Sequence, residues 1–101
     1  MRADKYTAVV DKAIADLIPN FMENRHKELA TLRAALASSD LEQMRQLGHR
    51  MKGVGNSYGF APISAIGKMI EDGAKASDTA GIEARLAEYA DYLEKVKVVY
   101  E

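Results

Sequence analysis

The chain has 101 residues, enough for one domain with one modest hydrophobic core. Its 14 Lys and Arg stand against 15 Asp and Glu, a formal charge of −1, which excludes the strongly basic footprint of a nucleic-acid binder and gives no support to membrane attraction. It has no cysteine, so disulfides, thiolate metal sites and thiol nucleophiles are excluded as well. The first six residues carry Arg2, Asp4 and Lys5 without a following apolar run, and no stretch approaches ~20 apolar residues, so the sequence reads as a soluble, unexported, cytoplasmic protein.

Proline occurs only at Pro19 and Pro62, and good helix formers dominate the composition. Val9, Val10, Ala13, Ile14 and Leu17 have helical spacing over a short span, which predicts a small N-terminal helix with one buried face. Asp16 is placed to cap the next helix, with Pro19 in its first turn and Phe21, Met22, Leu29, Leu32 and Leu36 as its apolar stripe to about Ala37. Ser39 and Glu42 have the spacing of a capping box for a third helix, whose apolar positions are Leu41, Met44, Leu47, Met51, Val54 and Tyr58 and which Gly59 is placed to end. Pro62 suits the start of a fourth helix with Ile63, Ile66, Met69 and Ile70 on its core face. Asp78 is a plausible cap for a fifth, whose stripe of Ile82, Leu86, Tyr89, Leu93, Val96 and Tyr100 carries it almost to Glu101. Short connections between amphipathic helices favour antiparallel neighbours. The expected fold is therefore all-α, an antiparallel up-down four-helix bundle with the short N-terminal helix packed at one end.

The helix beginning near Leu41 carries the chemical signal. At about 100° per residue, Met44, Leu47, Val54 and Tyr58 cluster around Met51, whereas His49 falls about 160° away and points outward. Arg45, Lys52, Gly53 and Asn56 share its broad face. Gly48, Gly53 and Gly55 interrupt this helix, and each costs roughly 0.8–1.0 kcal/mol relative to Ala in a helix interior. Gly48 and Gly55 lie nearer the buried side and read as sites of close helix packing. Gly53 lies on the outward face one turn beyond His49, where the missing side chain clears an approach to the imidazole.

An exposed histidine, substantially neutral near pH 7, accepts a phosphoryl group on a ring nitrogen. Lys52 is the cation placed to meet the dianionic product and Asn56 offers a neutral hydrogen bond, while Arg45 and Arg50 read as an ordinary solvated face. The chain lacks a phosphate-binding P-loop, a kinase glycine-rich loop and an acidic cluster beside His49 suited to Mg²⁺. Phosphoryl transfer would then draw its metal and its catalytic groups from a partner, leaving this chain as a carrier with no cofactor of its own.

The run Leu47-Gly48-His49-Arg50-Met51-Lys52-Gly53-Val54-Gly55-Asn56-Ser57-Tyr58-Gly59-Phe60 resembles the motif of the histidine-phosphotransfer (HPt) family, with its His-x-Leu/Met-Lys-Gly core. Ile18-Pro19-Asn20-Phe21-Met22-Glu23-Asn24-Arg25 and the helix count extend the resemblance to nearly the whole chain, read as a single HPt domain over residues 1–101. The resemblance implies that His49 is phosphorylated, that Lys52 stays near the phosphoryl group and that Gly53 admits a partner. It also implies a response-regulator receiver as that partner, with Mg²⁺ on the receiver, and a hybrid histidine kinase as a further one. Some members bond the other imidazole nitrogen to a Glu or Gln of the following helix, and spacing makes Glu71 the candidate. Val54 departs from the Ser or Ala of many members, which bears on packing more than on chemistry. No nucleic-acid or membrane partner is expected, and the expected state is a monomer. A metal or haem bundle using His49 or His26 fares poorly, because such sites point inward, whereas His49 points outward and His26 sits between Arg25 and Lys27 on what reads as a solvated edge. A non-phosphorylated interaction bundle is the alternative, and it would not depend on His49.

Overall fold

Helix boundaries follow from local chemistry in the computed structural model, which describes residues 6–101. Helix α1 (Ile18–Ala37) has Pro19 in its first turn, where the missing N–H is harmless. Helix α2 (Leu41–Ser57) starts where Asp40 accepts a hydrogen bond from the Gln43 N–H at 3.1 Å. Helix α3 (Ala61–Lys75) has Pro62 in its opening turn, and α4 (Thr79–Lys95) is capped by Asp78, which accepts from the Gly81 N–H at 3.0 Å. Two joints share one construction. Ser39 and Ser77 each take a left-handed conformation, φ 56°, and the next residue, Asp40 or Asp78, donates its N–H back to Ala35 or Gly73 and then caps the following helix. Gly59, at φ 93°, makes the corresponding turn after α2.

These joints correct two expected caps. Asp40, not Ser39, caps α2, and Glu42 is engaged with Arg45 instead of reaching back to the cap. Helix α1 begins after Leu17 without a side-chain cap, so Asp16 does not serve it.

The four helices form a bundle in which α1 meets α2 and α4, and α3 meets α2 and α4. Leu32, Met44, Met51, Phe60, Ile63, Ile70, Ile82 and Tyr89 have no solvent exposure at its centre. The closest approach is between α2 and α3, and glycine makes it possible. A Cβ at Gly48 would lie 2.7 Å from the backbone N of Glu71 and the carbonyl oxygen of Gly67. A Cβ at Gly67 would lie 2.5 Å from that of Met51, and one at Gly55 the same distance from the Ser64 N. These helices therefore pack backbone against backbone, which brings α2 side chains within reach of short contacts on α3.

The fold is not all-α, and both ends of the chain account for the difference. Tyr6–Val10 is a strand, β1, followed by a 3₁₀ helix, Lys12–Leu17, in place of the predicted N-terminal helix. Helix α4 stops at Lys95, and Val96–Tyr100 forms a strand, β2, paired in parallel with β1 from Tyr6 opposite Val96 to Val10 opposite Tyr100. The physical reason is β-branched and aromatic content: Val9-Val10 and Val96-Lys97-Val98-Val99-Tyr100 suit a pleated surface once a partner strand is available. Ala8 and Val10 are buried while Thr7 and Val9 are exposed, the two-residue alternation of a half-buried strand. No described helix is long and apolar enough to cross a membrane.

Candidate functional site

The close α2–α3 packing at Gly48 and Gly67 sets His49 beside Glu71. The two differ sharply in exposure: the His49 side chain is 66 % exposed and that of Glu71 is 5 % exposed. His49 Nδ1 lies 2.9 Å from Glu71 Oε2. A carboxylate only accepts, so Nδ1 carries the proton and the neutral ring keeps its lone pair on Nε2. Nε2 has no partner among the described residues.

Glu71 also receives two ammonium groups. Lys52 Nζ is 2.9 Å from Oε1, and Lys75 Nζ is 3.8 Å from Oε2. The hydrogen bond from Lys52 is the main cause that holds the Glu71 carboxyl down at about 2, against the opposing effect of its burial, with the His49 hydrogen bond adding to it. Glu71 is thus a permanent anion near neutral pH, and it anchors one imidazole and one lysine side by side.

Gly53 lies one turn beyond His49, and a Cβ built there meets nothing within 4 Å. The space over this part of the α2 surface is open. Asn56, exposed and two turns from His49, is not brought to the cluster, since the helix rise separates them by about 10 Å. Its backbone N–H is taken by Ser64 Oγ at 2.8 Å. Arg45 is turned toward Glu42, with Nη2 2.6 Å from Oε2, and His26 is exposed on α1 away from these residues. Val54 is half-buried and packs against the core.

Two features were not read from the sequence. Lys75 completes the cation set around Glu71, and the signal available was its i+4 spacing from that residue. Gly67, the counterpart of Gly48 across the helix pair, was passed over because a glycine within a well-patterned helix carries no local mark of what it faces.

An outward imidazole held at Nδ1 by a fixed carboxylate, with a lysine at its side and a bare helix surface beyond it, leaves Nε2 accessible to a second molecule. No curated protein and no solved structure matches the chain significantly. The family model for the Hpt domain does match, over residues 16–97, from within the 3₁₀ helix through all four helices into β2. On that match the chain belongs to the Hpt domain family, phosphotransfer modules of two-component signalling that carry a phosphoryl group and interact with receiver domains.

Proposed function

We propose that this chain is the histidine carrier of a phosphorelay, taking a phosphoryl group on Nε2 of His49 from a receiver aspartate and returning it to one. The observation that supports this reading best is the His49–Glu71 pair, which occupies Nδ1 and leaves Nε2 free toward open space. The Nε2 lone pair attacks the phosphorus of the receiver's aspartyl phosphate in line. The N–P bond forms as the P–O bond to the aspartate breaks, and the aspartate leaves as a carboxylate. No proton has to move, because Nδ1 keeps its hydrogen throughout. The phosphorylated ring is then cationic, and the Glu71 carboxylate faces that charge at 2.9 Å in both directions of transfer.

Lys52 is the residue that meets the phosphoryl oxygens in this scheme. It already lies beside His49 through their shared carboxylate, so a short side-chain movement transfers its charge to the phosphoryl group. Gly53 admits the receiver's active-site loops, and Asn56 contacts the partner farther along α2. The receiver supplies Mg²⁺ and the acceptor aspartate. A hybrid kinase is the upstream donor, the working state is a monomer, and the relay places the chain in the cytoplasm.

The test is phosphate transfer from a phosphorylated receiver or an active hybrid kinase. The wild type is expected to take up acid-labile, base-stable phosphate, and His49→Gln to take up none while keeping its helicity and melting temperature, because the side chain is outward-facing. Equal labelling of the two proteins would refute the carrier role and leave a non-phosphorylated interaction bundle.

A further inference from the structure

The two flanks of His49 differ in how their charges are satisfied. On the α3 flank, Lys52 and Lys75 are both drawn to Glu71. On the other flank, α1 and α2 stand apart over a cleft of about 500 Å³, lined among others by Arg25, Lys27, Glu28, Gln43, Gln46 and Arg50. Positions 43, 46 and 50 follow the i, i+3, i+7 row of α2, so they project together toward α1 and their row runs past His49.

The cations of this cleft are unequally engaged. Arg25 is largely buried, lies over the Phe21 ring at 4.7 Å and faces Glu28 at 3.3 Å. Lys27 pairs at the surface with Glu23 at 3.6 Å. Arg50, exposed and next to His49 in the chain, makes no hydrogen bond or ion pair with any described residue. Glu28, the one carboxylate lining the cleft, is buried and already bonded by the Tyr89 hydroxyl at 2.9 Å, and it meets Arg50 through long-range charge attraction without a direct contact. Three cations against one anion leave the cleft with a positive excess, and Arg50 is the member without a hydrogen bond or ion pair to any described residue.

Building on the carrier reading, we infer that this cleft is a second receiver contact, in which Arg50 takes an acidic side chain from the rim of the receiver's active site and thereby selects among receivers. A receiver's mouth holds the phosphoacceptor aspartate and the carboxylates that bind its metal, so its charge complements the cleft. A partner seated over Gly53 with its reactive aspartate at His49 Nε2 reaches Arg50 on the neighbouring row of the same helix. Contacts of this kind at an interface rim act mainly on association and on its salt dependence.

The experiment uses the receiver that exchanges phosphate with His49 in the test above, with the full chain as wild type, Arg50→Ala and Arg50→Glu. Phosphotransfer kinetics are measured at two salt concentrations, and His49 is labelled separately by phosphoramidate, a small donor that needs no docking. The expected result is a KM raised about threefold to tenfold for Arg50→Ala and further for Arg50→Glu, with kcat little changed and a shallower salt dependence. Phosphoramidate labelling, helicity and melting temperature should match the wild type. Unchanged KM and salt dependence in a normally folded Arg50→Glu protein would overturn the inference while leaving the carrier role intact. Failure of every protein, wild type included, to accept phosphate from receiver and phosphoramidate would remove the carrier reading and this inference together.

Discussion

Glu71 bonds Nδ1 of His49 and leaves Nε2 bare, and its own charge is secured by Lys52 more than by anything else. Because its carboxyl is held at about 2, below the unfolded range near ~4.3, the stability it contributes is complete above that range and is lost as pH falls through about 2. Glu71→Gln should therefore flatten the acid limb of stability between about pH 4 and 2, read as the urea midpoint at each pH. It should also slow phosphotransfer, since a neutral amide keeps an acceptor for Nδ1 but loses the charge facing the phosphorylated ring. An unchanged acid limb would mean that the carboxylate is not held by its cations in solution. At Gly53 stability and the proposed access role should move apart. Alanine there should raise stability by up to ~1 kcal/mol, since the built Cβ meets nothing, and glutamine should keep most of that gain. Glutamine should nevertheless impair receiver transfer far more than alanine does. Melting temperatures and transfer rates of both variants check this, and full transfer by a folded Gln variant would contradict the access role.

At the scale of elements, the site depends on how closely α2 and α3 approach. Gly48→Ala gains helix propensity but drives a methyl to within 2.7 Å of backbone on α3, where no flexible side chain can give way. The expected net effect is a loss of about 1–3 kcal/mol, seen in urea unfolding, together with slower transfer because the helix pair opens between His49 and Glu71. A stabilised Gly48→Ala protein would show that the interface has slack. Much of this was legible in the sequence. The outward position of His49 and the buried stripe around Met51 follow from helical period alone, and Gly48 lay on the inward side of the same wheel. The cap at Asp78 was legible too, but at the corresponding joint Ser39 with Glu42 imitated a capping box and drew the cap one residue early.

Across the whole molecule, what the sequence concealed was pairing between distant segments. Tyr6–Val10 and Val96–Tyr100 meet only in the folded chain, so each was judged alone, and valines at helix-compatible spacing passed for the ends of helices. The same blindness hid the Tyr89 to Glu28 hydrogen bond, which ties α4 to α1 beneath the cleft beside His49. The His49–Glu71 contact was reachable because family resemblance supplied the partner that spacing by itself could not. The proposed transfer requires that Nε2 be the imidazole nitrogen free to react. Two-dimensional ¹H–¹⁵N NMR of the phosphorylated protein reads this directly: phosphate on Nε2 of His49 with Nδ1 still protonated is the predicted result, and phosphate on Nδ1, or on another residue, would contradict it.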